Sequence, residues 1–531
     1  MALIERFEGR SVASALSHRA TTDPERTFLL HGESRLTFGE VDGQAEALAA
    51  GLNALGIGAG DRIALILPPC PEFVIALFAA AKLGAAIVPL DPGLATSDLQ
   101  YMLRHSEASA AVATERYGGV EFLELFDELL PQLPDLQTLV TVGGAEIWYD
   151  DQIFPWADLT SSGTGRDFVA PEVDPATTSL ALFYTSGTTG KPKAVSLSHA
   201  NLLYAAAGTA DALGLGVEDR VAGISALFNV FGVGPGILGC LLAGSSLVLT
   251  DPVDAGRLLD AVETYRVTVQ YGIPTLFRAQ LRAQEARPRD LSSLRVGLIA
   301  GAPAPPELVA RVQAELCPVA LVGYSITETA STICVGRVED PPETRRTTVG
   351  RPLDGSEYRI VEDGVSLPVE SVGEIRFRGP GIMLGYHRQP RRTAEAFDEE
   401  GFLKTGDLAM VDDDGFIHLV GRHKDVIIRS GFNVYPREVE DRILSHPAII
   451  GVAVVGTEDE ILGEAICACV LPVEGALVSG EEIRDWCRTT LSDHKVPDLV
   501  RFFDEFPRTR DGKVRRVELA RLVRQEPGRT A

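Results

Sequence analysis

Basic residues are scarce in this chain: 49 Lys plus Arg stand against 74 Asp plus Glu, a formal charge of -25 at pH 7. That balance repels nucleic-acid phosphates, which excludes nonspecific nucleic-acid binding and leaves any anionic ligand to local positive groups. It suits a soluble cytoplasmic protein. Cysteines number seven, at 70, 240, 317, 334, 467, 469 and 487, with no C-x-x-C pair, and Met1 to Gly32 carries no secretory leader. Reduced, buried thiols are therefore expected, with Cys467 and Cys469 on one face of a strand. None of the nine histidines forms an HExxH zinc pattern, and neither internal repeats nor low-complexity tracts occur before a frayed tail after Gln525. Charge is missing altogether from Val221 to Thr250, but Asn229, Pro235, Ser245, Ser246 and six glycines interrupt that interval. A buried helix flanked by strands is expected there instead of a transmembrane segment, with peripheral membrane contact left open.

At 531 residues and 45% hydrophobic content, the chain can build about three or four compact units with substantial cores. Thr37 and Glu40 predict a capping box opening a helix through Leu52. Asp61 to Leu67 reads as a buried strand, Glu72 to Leu83 as the next helix and Ile87 to Leu90 as the next strand. This alternation predicts mostly parallel sheets covered by helices on both faces. The pattern changes after Gly421: a strand at Val426 to Ile428, an amphipathic helix at Pro436 to Ser445 and a strand at Ile449 to Val455 predict a small α+β unit.

Chemistry is concentrated in Tyr184-Thr-Ser-Gly-Thr-Thr-Gly-Lys-Pro-Lys-Ala-Val195. Gly187 and Gly190 let the backbone approach a ligand, Thr185, Ser186, Thr188 and Thr189 add hydroxyl groups, and Lys191 and Lys193 add charge, a set suited to polyphosphate. The apolar run Leu180 to Phe183 before it reads as a buried strand, so the loop lies at a strand end. A Gly/Ser/Thr surface turn is the competing reading. A Walker loop does not fit, because Pro192 follows Lys191 where a magnesium-binding Ser or Thr would stand. Any metal must be held elsewhere.

Four further segments follow in order: Gly323-Tyr-Ser-Ile-Thr-Glu328, Lys404-Thr-Gly-Asp407, Gly421-Arg-His-Lys-Asp425 and Gly512-Lys513. With the glycine- and lysine-rich loop they resemble the adenylate-forming superfamily of acyl-CoA synthetases, peptide-synthetase adenylation domains and beetle luciferases, over nearly the whole chain. The resemblance implies an α/β fold in two parts. A large N-terminal domain, 1–423, of helix-covered, mostly parallel sheets would bind ATP and acyl group, and a small mobile α+β C-terminal domain, 424–531, would carry the catalytic lysine and thiol-acceptor face. It also implies ATP, Mg²⁺ and CoA as reaction partners.

By the same resemblance, Lys513 bridges the acyl carboxylate and α-phosphate, Thr327 hydrogen-bonds that phosphate, and Glu328 is the Mg²⁺ ligand. Tyr324 stacks on adenine, Asp407 accepts from the ribose hydroxyls, Arg422 meets ribose or phosphate, and Gly301-Ala302-Pro303 forms the adenine-side loop. Taken singly, Tyr324 reads as core filler, Glu328 as an acid at a helix N-terminus and Lys513 as a solvated turn lysine. Their shared order is what favours the catalytic reading.

Asn229, Val230, Gly232 and Val233 fall in the acyl-pocket segment. Many acyl-CoA synthetases have Pro at the position of Ala226 and His at that of Asn229; both are replaced here. Val230 stands where relatives that activate α-amino acids place Asp, and an apolar side chain cannot pair a buried ammonium. The acid is thus expected to lack an α-amino group, and Gly232-Val-Gly-Pro-Gly236 leaves room for a bulky fatty, aryl or cyclic body. Ser430 to Glu440 resembles fatty-acyl-CoA synthetases, which favours CoA; there Lys424 is the hinge, and Gly431 with Phe432 borders the thiol tunnel. A freestanding ligase loading a phosphopantetheinyl carrier protein is the alternative, and a catalytically impaired nucleotide- or acyl-binding protein a third reading.

Overall fold

The computed structural model describes residues 3–144, 151–185, 191–223, 226–250, 254–459, 461–508 and 514–525. Short apolar runs bounded by glycine and proline form the centres of two large sheets, where burial on both faces favours continuous apolar sequence. One has eight strands, in the order Gly385–Tyr386, Lys193–Ser198, Ser179–Thr185, Ala86–Pro89, Arg62–Ile66, Ala110–Thr114, Thr138–Val142 and Ile153–Pro155. It is parallel from Ser179–Thr185 onward. The other has nine strands with a parallel centre, in which Val319–Ile326, Val296–Ile299, Val269–Gly272 and Arg220–Ala222 lie side by side.

Helix Pro71–Leu83 joins these layers. Every residue from Phe73 to Leu83 is buried, and Phe78 reaches within 6.1 Å of the Phe28 ring in the nine-stranded sheet. Its alanines let neighbouring elements approach, so one core cluster runs through both sheets. Helix Phe38–Ala54 opens on the expected Thr37/Glu40 capping box.

The uncharged interval folds as a buried helix between strands Arg220–Ala222 and Ser246–Val248. Its first part, Gly232–Leu238, has π geometry before continuing as α-helix Gly239–Ala243. Among the described residues no helix is long and apolar enough to cross a membrane.

A five-stranded antiparallel sheet had no counterpart in the sequence reading: Val365–Ser366, Glu357–Glu362, Gly373–Arg378, Leu403–Val411 and Ile417–Arg422. Its charged positions pair along and across strands, with Arg376 to Glu374 at 2.7 Å and Arg378 to Glu357 at 2.6 Å, while Arg359 reaches Asp398 outside the sheet at 2.6 Å.

The small C-terminal lobe centres on antiparallel strands Ile449–Asp459 and Gly463–Pro472. Ile466, Ala468 and Val470 pack with Val439, Ile443 and Ile483, whereas Cys467 and Cys469 face Leu519 and Val523. The cysteine alternation is thus a core feature, and all seven thiols are buried and unpaired.

Candidate active site

Strands Ser179–Thr185 and Lys193–Ser198 pair antiparallel, with Thr185 opposite Lys193. The loop candidates Ser186, Gly187, Thr188, Thr189 and Gly190 lie outside the described residues, as does Lys513. What the fold does define is how the loop is rooted. The Thr185 hydroxyl is buried without a partner among the described residues. On helix Thr96–Ser106, Tyr101 donates to the Pro192 carbonyl at 3.2 Å, and His105 Nδ1 lies 2.8 Å from the Tyr184 hydroxyl. Lys191 is exposed, its ammonium 5.6 Å from the Tyr101 ring.

Lys193 points to the end of strand Val319–Ile326, where the chain turns into the short 3₁₀ segment Thr327–Thr329. Its ammonium lies 2.9 Å from Glu328 Oε1 and 2.6 Å from the Tyr386 hydroxyl, which is itself 2.9 Å from the same carboxylate oxygen. Burial alone would raise the Glu328 carboxyl, but the adjacent ammonium and hydrogen bonds outweigh it and the net shift is downward. Burial, reinforced by the Glu328 charge, pushes the Tyr386 phenol up. At neutral pH Glu328 is therefore a carboxylate and Tyr386 an un-ionised phenol.

A second cluster sits on the same strand. Buried Tyr324 donates to Asp407 Oδ2 at 2.6 Å, and Arg422 Nε donates to Asp407 Oδ1 at 2.8 Å. Strands Leu403–Val411 and Ile417–Arg422 pair Asp407 with Arg422 directly. Gly301, Ala302 and Pro303 are exposed just beyond the neighbouring parallel strand Val296–Ile299, and Gly301 has φ +83°.

The acyl candidates border this line. Gly232 and Val233 are buried, Val230 is half-buried and Asn229 exposed. A Cβ on Gly234 would stand 3.3 Å from the Ala330 carbonyl, two residues past Glu328, so the π-helix packs against the end of the Lys193–Glu328–Tyr386 cluster. Phe231 meets Tyr271 at 5.4 Å between ring centroids. Lys424, Gly431 and Phe432 instead lie exposed on the C-terminal lobe, Phe432 stacked on His494 at 4.8 Å. Gly431 has φ +82° with nothing within 4 Å of a built Cβ, so the backbone conformation itself favours glycine there.

Sequence reasoning missed Tyr386, Tyr101 and His105. The one signal for Tyr386 is the glycine before it: Gly385 has φ +144°, and a Cβ there would lie 2.7 Å from Thr393 Cγ2.

Among the described residues no three His, Cys, Asp or Glu side chains gather as a metal cage. A single hard oxygen donor, Glu328, fits a Mg²⁺ ion whose other ligands are phosphates and water.

The AMP-binding enzyme model matches residues 16–387, and the AMP-binding enzyme C-terminal domain matches residues 438–513. The chain belongs to the AMP-binding enzyme family, the adenylate-forming enzymes, and its class is that of AMP-forming acid–thiol ligases. It is 32% identical to the mitochondrial medium-chain acyl-CoA ligase of Bos taurus, over 98% of this chain and 88% of the relative. It is 34% identical to the feruloyl-CoA synthase of an Amycolatopsis species, over 95% and 97%. The anthranilate CoA ligase AuaEII, solved with anthranoyl-AMP, superposes with a TM-score of 0.90 at 26% identity, covering 99% of this chain and 100% of that one.

Proposed function

We propose that this protein uses ATP to convert a hydrophobic fatty, aryl or cyclic carboxylic acid to acyl-AMP, then passes the acyl group to CoA, releasing AMP and pyrophosphate. The observation that carries this reading is the alignment of two clusters along one strand end: Lys193, Glu328 and Tyr386 beside the phosphate loop, and Tyr324, Asp407 and Arg422 beyond it. The first suits a polyphosphate, the second a ribose and base.

A carboxylate is a poor electrophile, and adenylation gives its carbonyl carbon a good leaving group. Charge crowds at the α-phosphorus during that step, so oriented cations and donors lower the barrier. Thr327 and Lys513 would supply them at the α-phosphate, with Thr185, Ser186, Gly187, Thr188, Thr189, Gly190 and Lys191 cradling the leaving pyrophosphate. Mg²⁺, held by Glu328, would neutralise phosphate charge. Domains 1–423 and 424–531 would turn about Lys424, presenting Lys513 for the first step and the Gly431–Phe432 face for thiol entry.

Val230 and the buried Gly232–Val233 wall support an uncharged acyl body. The two relatives and the solved neighbour carry medium-chain, feruloyl and anthranilate names, which span the aliphatic and aryl range proposed. A cytoplasmic site of action is part of this proposal.

A panel of aliphatic, aryl and cyclic acids scored by CoA-dependent AMP formation tests it. Turnover with at least one hydrophobic acid is expected; AMP formation with a phosphopantetheinyl carrier protein but not with CoA would overturn the acceptor assignment, and none with either would overturn the activity.

A further inference from the structure

We propose that Tyr386 is a positioning residue of the phosphate corner, whose phenol keeps the Glu328 carboxylate aimed when Lys193 turns from it to a bound polyphosphate. This rests on the function proposed above. Lysine ammonium can only donate, so at 2.6 Å Lys193 donates to the Tyr386 oxygen, and the phenolic hydrogen is directed to Glu328 Oε1 at 2.9 Å. The direct Lys193 to Glu328 contact at 2.9 Å closes a triangle.

An incoming metal–polyphosphate competes for two corners of that triangle at once. Phosphate oxygens attract the ammonium, and the cation requires the carboxylate. If Lys193 were the sole anchor, recruiting it would free the Glu328 side chain at the moment its geometry mattered. The phenol does not have that conflict: it donates to the carboxylate and carries no charge of its own.

The backbone around Tyr386 is fastened to both elements that it joins. Met383 N–H donates to the Glu328 carbonyl at 2.9 Å, Leu384 N–H to Ser196 at 2.9 Å and His387 N–H to Ala194 at 2.8 Å. Tyr386 N–H donates to Thr393 Oγ1 at 2.9 Å. Strand Gly385–Tyr386 therefore stitches the lysine strand to the glutamate turn, and its one aromatic side chain lies at the junction.

Tyr386→Phe tests this on the full chain, because it keeps the ring that lies 4.1 Å from the Lys193 ammonium and removes only the hydroxyl. Mn²⁺ affinity, read by electron paramagnetic resonance with a non-hydrolysable ATP analogue, is expected to weaken by about tenfold to a hundredfold, the worth of a hydrogen bond to a charged group. The Mg²⁺ concentration for half-maximal acid-dependent pyrophosphate exchange should rise in parallel. Conversion of a supplied acyl-adenylate to thioester should stay within about twofold of the parent, since that step no longer involves pyrophosphate. Thr393→Val loosens the same strand without touching the phenol, and it should leave Mn²⁺ affinity near the parent value. Parent-like Mn²⁺ affinity in Tyr386→Phe, or an equal loss in Thr393→Val, would overturn the role. The Mn²⁺ measurement needs no acid or CoA, so it decides on Tyr386 even where the acid panel fails.

Discussion

Asp407 illustrates how one side chain can organise a binding surface. A carboxylate offers about four lone-pair directions. Tyr324 and Arg422 each occupy one, on different oxygens, which leaves one acceptor direction per oxygen. That number matches the two ribose hydroxyls proposed to meet it. Asp407→Asn replaces one oxygen with an NH₂: either that NH₂ meets the Arg422 guanidinium, donor against donor, or the Tyr324 hydroxyl must turn from donating to accepting, and in both cases one acceptor direction is lost. The expected result is a KM for ATP raised by about ten- to a hundredfold in pyrophosphate exchange, with the KM for the acid nearly unchanged. Tyr324, Asp407 and Arg422 were legible because each sits in a compact local motif. Tyr386 was not: its partners stand 193 and 58 residues away, and the glycine before it marks a tight backbone without pointing to either partner.

At the scale of elements, the sequence specified which segments are buried more fully than it specified their geometry. The uncharged interval was legible as a buried helix, but its π pitch was not. Pro235 has no N–H to give to a regular helical ladder, and glycines at 232, 234 and 236 lower the steric barrier to a wider turn. The packing is tight on the side of the preceding turn: a Cβ on Gly232 would lie 2.3 Å from the Ala226 carbonyl and 2.8 Å from Leu227 Cα. Gly232→Ala is therefore expected to cost about 1–3 kcal/mol. It should also reorder the acid panel by moving the 226–229 turn, while the KM for ATP stays near the parent value. Gly234→Ala, whose Cβ would meet its nearest atom at 3.3 Å, should be milder on both thermal stability and acid preference. The antiparallel sheet at 357–422 escaped the sequence reading for a related reason. Its half-exposed strands alternate charged and apolar residues, and the charges find partners such as Asp398 only after the chain has folded.

At the scale of the whole molecule, a carboxyl of the C-terminal lobe feels charges of the large lobe, and the cost of holding it there depends on pH. Asp441, on helix Pro436–Leu444 of the C-terminal lobe, is close enough to Glu307 and Arg278 of the large lobe to feel their charges, and Arg437 lies 3.6 Å away on its own helix. Burial pushes its carboxyl up to about 6; Arg437 opposes that, while Glu440 and Glu307 add to it. The folded value thus lies above that of the unfolded chain, so the folded state binds more protons between the two values and stability falls as pH rises toward 6. Above that point the full cost of a half-buried carboxylate facing Glu307 is present. Asp441→Asn removes the ionisation and keeps the shape, and it should raise the unfolding temperature at pH 8. The gain should shrink by on the order of 1 kcal/mol by pH 5, where the native carboxyl is mostly protonated. Thermal unfolding of both proteins at the two pH values measures the difference, and a gain independent of pH would show that packing, not the buried charge, sets the cost of this contact.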